Sequence, residues 1–405
     1  MQGMNFERIL GGVCAPGGFL ASAVSCGIKA KGELDLALLY SELPAVAAGV
    51  FTTNELKAAP VVYSKRSVGG KSARAVIVNS GNANSMTGSR GLADAEAMSA
   101  AVEKELGLPS RQVLVASTGP IGNYLPMKKV RKGIKQAVAE LSPGGNTDAA
   151  KGIMTTDTYP KELAVEMEIA RKVVRMGAMA KGAGMIHPDL ATMIVVITTD
   201  AELDADMMQD WLSKAVQWSF NRISVDGDQS TNDTVLMLAN SAAFPEGHTL
   251  DSEERDLMFR ALCWLTANLA MALVKDGEGA TKFLRIVVNG ARDDSEAVQV
   301  ARSIANSNLV KCSFYGGVLN WGRIASAAGS AGVALEPGKI DIFLGEKMVA
   351  SGGEPAEADL KDLEKYLKRD DVEITLDLGL GSGSAYFLTT DLSTEYVKIN
   401  ASEVT

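Results

Sequence analysis

The chain has 405 residues, 46% apolar and 22% charged, an ordinary globular composition with room for two or three cored domains. A formal net charge of −9 argues against a nucleic-acid partner, because holding phosphates needs a basic surface. Four scattered cysteines with no Cys-x-x-Cys pair, and two histidines, argue against a disulfide framework and a histidine-based metal site.

In chain order, the apolar stretch 9–28 is broken by Gly11, Gly12, Pro16, Gly17 and Gly18, and Arg8 ahead of it is offset by Glu7. It reads as a glycine-rich strand entry and not as a secretory signal, which predicts a cytoplasmic protein. No run reads as long enough to span a bilayer. Strands are predicted at 75–78 and 113–116, each ending in a loop rich in Gly and Asn or Ser/Thr, with helices at 93–106 and 127–141. Pro143-Gly144-Gly145-Asn146 reads as a turn. The β-branched run 194–199 is a strand, followed by a helix at 206–220 and a strand at 235–238. A long helix runs from about 253 to 274, with Asp251 and Glu254 spaced as a capping-box-like pair. Strands at 283–288, 340–344, 372–378 and 385–391 and helices at 295–305 and 358–367 complete the chain. A boundary near residue 286 divides it into 1–285 and a smaller α/β unit, 286–405.

The stretch Lys181-Gly-Ala-Gly-Met-Ile-His-Pro-Asp-Leu-Ala-Thr192 carries the most chemical information. A glycine-rich, proline-kinked loop runs straight into Ala191-Thr192 and then into the buried strand. A threonine there can attack its own preceding carbonyl if the loop strains that peptide. Cleavage would free an α-amine beside Thr192 Oγ. That amine titrates at roughly 7.7–8.0, near working pH, so nucleophile and general base would sit on one residue. His187 reads as a loop residue and not as the base.

Elsewhere, Thr118 after the second predicted strand offers a hydroxyl donor and Gly119 an unobstructed backbone N–H, the two components of an oxyanion hole. Ile153-Met-Thr155-Thr156-Asp157-Thr158 presents neighbouring threonines, which point to opposite faces if extended. In Lys275-Asp-Gly277-Glu278-Gly279 the glycines are read as clearing space around Glu278, a natural partner for ammonium groups. The run Ser224 to Thr234 does not have EF-hand ligand spacing and reads as a rigid hydrogen-bonded turn near the site. Asn79-Ser-Gly-Asn82-Ala-Asn84 reads as a structured loop beneath the nucleophile. Gly69-Gly70-Lys71-Ser72 is set aside as a phosphate loop because Lys65 stands where its first glycine belongs. Gly379-Leu-Gly381-Ser-Gly383 is set aside as a dinucleotide fingerprint because no helix follows.

These motifs resemble, over nearly the whole chain, the ornithine acetyltransferase (glutamate N-acetyltransferase) family of arginine biosynthesis. The resemblance implies self-cleavage between Ala191 and Thr192 and a layered α-β-β-α sandwich of N-terminal-nucleophile type with a smaller C-terminal α/β domain closing the pocket. It implies Thr192 as nucleophile, Thr118 and Gly119 as oxyanion donors, and Thr155, Lys181, Thr192, Glu278, Asn400 and Thr405 as substrate-binding residues. Thr156 stays a rival to Thr155. It further implies acetyl transfer from N-acetyl-L-ornithine to L-glutamate with no metal or organic cofactor, and a heterotetramer of two chains of each fragment. Acetyl-CoA as an additional donor is left open. Val318-Leu319, where the family usually has Asp-Pro, and Leu380, for a common arginine, depart from its pattern and bear on substrate choice. Two other readings stand beside it: an N-terminal-nucleophile aminopeptidase or amidase, and an uncleaved amino-acid-binding homologue.

Overall fold

A computed structural model describes residues 5–30, 32–187, 193–357 and 359–402. Ala191, Thr192 and Thr405 lie outside the described residues. Among the described residues the fold is mixed α/β with three sheets.

The first sheet has six strands in the order Phe6–Ile9, Lys161–Ile169, Lys172–Lys181, Ile194–Thr199, Thr234–Ala239 and Val46–Phe51. Ile194–Thr199 runs antiparallel to Lys172–Lys181 and parallel to Thr234–Ala239. It is therefore a central strand, and all six of its residues are buried. Its side chains alternate as a pleat dictates. Ile194 and Val196 face the second sheet, of strands Phe19–Val24, Leu36–Ser41, Ala75–Ser80 and Val113–Thr118, meeting Leu39, Val76, Val78 and Leu114 in one core. Val195 and Ile197 face the other way, into a core shared with Trp211, Leu212, Leu262 and Leu265 from the helices Ala205–Trp218 and Ser252–Lys275. The outer face of the second sheet, through Leu38, Ile77, Val113 and Val115, packs on Met98, Val102, Val130 and Ile134 of the helices Gly88–Leu106 and Met127–Ala139.

The third sheet runs Glu354–Pro355, Lys347–Ser351, Asp341–Leu344, Asp371–Asp377, Phe283–Ala291 and Gly383–Thr390. Its Leu284, Ile286, Ile374 and Phe387 share a separate core with Val300, Ile304 and Phe314 of two helices, Asp294–Ala305 and Asn308–Tyr315.

Every predicted helix and strand is present, with shifted ends in several cases. The helix expected at 93 begins at Gly88, and the turn at 143–146 leads into an unforeseen helix, Asn146–Gly152. The capping box at the long helix is made: the Asp251 side chain accepts from Glu253 and Glu254 N–H, and Glu254 accepts from Asp251 N–H. One expectation needs correction. Ser252–Lys275, at 24 residues, is by length and composition long and apolar enough to cross a membrane. The helix is packed along one stripe into the core, through Met258, Leu262, Leu265, Leu269 and Leu273 at helical spacing.

Candidate active site

Thr118 ends a buried strand paired in parallel with Ala75–Ser80, and the chain then turns sharply at Gly119, whose φ is +136°. A Cβ on Gly119 would collide with Asn82 N and lie 2.5 Å from Gly81 C, so glycine is required twice over, by conformation and by close approach. The asparagine loop locks this turn. Asn82 N donates to Thr118 O at 3.0 Å, Asn79 Nδ2 to Asn82 O at 2.8 Å, and Ser117 Oγ to Asn79 Oδ1 at 2.6 Å. Asn232 reaches across from the 224–234 turn, its Nδ2 donating to Ala83 O at 2.6 Å and Ser117 O at 2.9 Å.

Lys181 is the last residue of its strand and stands opposite Ile194 in the register. The structure buries it at 2% exposure. Its Nζ donates to Thr155 Oγ1 at 2.7 Å and Thr118 Oγ1 at 3.2 Å, with Asp157 Oδ2 3.9 Å away. Asp157 also accepts from Lys161 Nζ and Gly182 N, each at 2.7 Å, and Lys161 pairs onward with Asp276 at 2.5 Å. A buried row of alternating charge, Asp276, Lys161, Asp157 and Lys181, therefore ends at two threonine hydroxyls. Burial would push the Asp157 carboxyl up, but Lys181, Lys161 and the Gly182 N–H together hold it down at about 2. Burial lowers the Lys181 ammonium against the pull of Asp157.

Glu278 is held from the loop that follows Lys181: its N–H donates to Ala183 O at 2.9 Å. The glycine that makes room for its carboxylate is Gly184, where a Cβ would lie 2.5–2.6 Å from Glu278 Cδ and both oxygens. Gly277 and Gly279, read from the sequence as doing this, instead face Thr390 and the Tyr396 backbone. Asn400, on the C-terminal helix Thr394–Ser402, donates from Nδ2 to Glu278 Oε2 at 2.8 Å.

Thr118, Gly119, Thr155, Lys181, Glu278 and Asn400 thus come from five distant segments to line one pocket. Thr156 lines it as well, and Thr155 is the one bonded to Lys181. Among the further lining residues, Asp226, Asp228 and Tyr396 bring polar groups that sequence reasoning had not assigned to the pocket, although it placed the 224–234 turn near the site. Asp226 accepts from Met185 N and from Ile186 N at 2.5 and 2.9 Å, tying the glycine-rich loop to the 224–234 turn. Burial pushes its carboxyl up to about 6, against these donors. Gly227, between two carboxylates in a segment rich in polar residues, was the available signal. At the entry to the central strand, Met193 N donates to Asp233 Oδ1 at 3.1 Å, and burial pushes the Asp233 carboxyl well above the usual range. The pocket offers several hydroxyls, Thr118 and Thr155 among them, one buried ammonium and three carboxylates, a lining suited to a small molecule bearing both charges. Among the described residues no group of three or more His, Cys, Asp or Glu is arranged to hold a metal ion.

The ArgJ family model matches residues 20–405. The chain is 44% identical over 398 residues to a protein of Symbiobacterium thermophilum named arginine biosynthesis bifunctional protein ArgJ, covering 98% of this chain and 99% of that one. A Synechocystis protein of the same name is 44% identical over 415 residues, covering 99% and 100%. Among solved structures, arginine biosynthesis bifunctional protein ArgJ of Bacillus halodurans is 38% identical with a TM-score of 0.48, covering 52% of this chain and 98% of that one. Ornithine acetyltransferase of Mycobacterium tuberculosis, complexed with ornithine, is 44% identical with a TM-score of 0.43, covering 45% and 98%. With a family model spanning nearly its whole length and relatives this close over the same span, the chain belongs to the ArgJ family.

Proposed function

We propose that this chain is a self-processing acetyltransferase that moves an acetyl group from N-acetyl-L-ornithine to L-glutamate in arginine biosynthesis, with acetyl-CoA as a further donor to be tested. The observation that carries the reading is the convergence of Thr118, Gly119, Thr155, Lys181, Glu278 and Asn400 on one pocket, beside the strand that begins two residues after Thr192.

In this reading Thr192 Oγ attacks the Ala191 carbonyl carbon, the peptide C–N bond breaks, and water hydrolyses the resulting ester. Thr192 is left with a free α-amine. That amine takes the Oγ proton as Oγ attacks the acetyl carbonyl, and passes it to the departing ornithine nitrogen. Thr118 Oγ1–H and Gly119 N–H donate to the tetrahedral oxyanion, where one donor is worth about 2.7–4 kcal/mol of barrier. The glutamate α-amine then attacks the acetyl ester and N-acetylglutamate leaves. Glu278, with Asn400 bonded to it, receives substrate ammonium, Thr155, with Lys181 bonded behind it, supplies a polar contact at the pocket floor, and Thr405 closes the C-terminal side.

The layering belongs to the same reading: helices, first sheet, second sheet and helices form an α-β-β-α sandwich of N-terminal-nucleophile type over 1–285, and 286–405 is a domain that closes the pocket. Cytoplasmic location and a heterotetramer of two copies of each fragment complete it. Intact mass of purified protein, wild type beside Thr192→Ala, is the test. Two fragments parting at Ala191/Thr192 in the wild type and one unbroken chain in the variant support the nucleophile; an unbroken wild type sinks it. Product analysis then decides the reaction, since free acetate in place of N-acetylglutamate would make the protein a hydrolase.

A further inference from the structure

The hydrogen bonding of Lys181 has a direction that its residue type alone does not convey. An ammonium only donates. Thr118 Oγ1 and Thr155 Oγ1 must therefore accept from Lys181 Nζ, at 3.2 and 2.7 Å, and neither hydroxyl can turn its own hydrogen toward the lysine. Among the described residues neither hydroxyl hydrogen meets an acceptor, and both threonines line the pocket. The lysine itself is held from behind. Asp157 and Lys161 side chains are fully buried, and Asp276 terminates the row at the end of the long helix. A freely rotating threonine hydroxyl would spend part of its time as an acceptor toward the pocket, which would repel an oxyanion. With Lys181 occupying one of its lone pairs, the Thr118 hydroxyl keeps its hydrogen off the lysine side and free to donate toward the pocket. The same contact polarises the O–H bond, as successive links in a hydrogen-bonded chain strengthen one another.

We propose that Lys181 is a positioning residue for the oxyanion hole, acting through Thr118: it fixes the Thr118 hydroxyl as a donor into the pocket, and its contribution falls on the transition state and not on the bound substrate. The inference rests on the acyl-transfer reading given above. It gives the buried row of charges a purpose, which is to hold an ammonium, in a place where burial opposes one, behind a neutral donor that needs orienting.

The test is a double-mutant cycle on steady-state acetyl transfer from N-acetylornithine to glutamate, using wild type, Lys181→Met, Thr118→Val and the double variant. Lys181→Met is expected to lower kcat on the order of 10²-fold with KM for N-acetylornithine within about 3-fold, the signature of an interaction made only in the transition state. The double variant is expected to be no slower than Thr118→Val by more than about 3-fold, because a lysine that acts through a hydroxyl has nothing to act on once it is gone. A raised KM with kcat intact, or losses that multiply, overturns the proposal. Lys181→Gln, which keeps an N–H donor and loses the charge, is expected to recover part of kcat, and it replaces Lys181→Met if that variant does not fold.

Should the lysine variants stay uncut, ornithine binding is measured by calorimetry on the Thr192→Ala chain with and without the Lys181 change. A Kd within about 3-fold supports the positioning role, and a 10-fold or greater loss shows direct substrate contact. A wild type that makes no N-acetylglutamate removes the acetyl-transfer reading, whereas a normal wild type with a KM-type lysine variant removes this one alone.

Discussion

Asp226 shows one side chain holding a loop and lining the pocket at once. Its oxygens hold the glycine-rich loop by accepting from Met185 and Ile186 N–H, and the same carboxyl lines the pocket, pushed up to about 6 by burial. A raised carboxyl favours the protonated form in the folded state, so its ionisation costs stability as pH rises through about 6. For function the sign is the reverse, since a substrate ammonium needs the ionised form. KM for N-acetylornithine is therefore expected to climb as pH falls below about 6, while KM for glutamate stays level or drops; parallel pH profiles for the two substrates check this, and a rise in both would exclude the carboxyl. Asp157 titrates in the opposite sense. Held at about 2, it supports the fold above its unfolded value and loses that support as pH falls from roughly 4 toward 2. Asp157→Asn leaves Lys161 and Lys181 buried without their shared carboxylate, so a loss of about 3–5 kcal/mol is expected in urea unfolding at pH 7, narrowing across that acid window. Gly184→Ala is expected to raise KM for ammonium-bearing substrates about 10-fold at nearly unchanged stability, because the added Cβ would overlap the Glu278 carboxylate.

At the scale of elements, the helix Ser252–Lys275 begins on a complete capping box, and Asp251→Ala is expected to cost about 1 kcal/mol in thermal unfolding without changing kcat. That cap was legible because its residues sit at fixed sequence offsets. The strands 75–80, 113–118 and 194–199 were legible for a related reason: each is buried on both faces and reads as a continuous apolar run. The long hairpin of Lys161–Ile169 and Lys172–Lys181 was not. The alternation of Glu166, Met167, Glu168 and Ile169 is a half-buried strand's pattern but spans only a few residues, and the turn places Ala170 and Arg171 at φ of 48° and 63°, where Asn-Gly would have signalled a hairpin. The early start of Gly88–Leu106 was hidden by Gly88 and Gly91, which are poor helix formers; at Gly91 a Cβ would collide with Thr87 Oγ1. Within the site, the motif residues were legible as chemistry and their neighbours were not. Nothing in the spacing of Asp157, Lys161, Lys181 and Asp276 shows that they form one row, because the row runs between elements.

At the scale of the whole molecule, the C-terminal helix brings Asn400 and Tyr396 to a pocket whose other walls come from residues before 280. Removal of 394–405 is expected to raise KM for N-acetylornithine at least 10-fold and to leave cleavage at Ala191/Thr192 intact, read by intact mass and steady-state kinetics on the same preparation. The order of the first sheet has a consequence for the life of the molecule. Two neighbouring strands, Ile194–Thr199 and Thr234–Ala239, lie between Lys172–Lys181 on one side and Val46–Phe51 on the other. With a cut ahead of residue 192, the later chain's two strands would be clasped on both sides by the earlier chain. The pieces could not part without unzipping the middle of a sheet, and once parted they would have to find each other by diffusion. Maturation would then turn a foldable polypeptide into an object assembled only once, whose durability is a matter of how slowly it comes undone and not of any balance with its unfolded form.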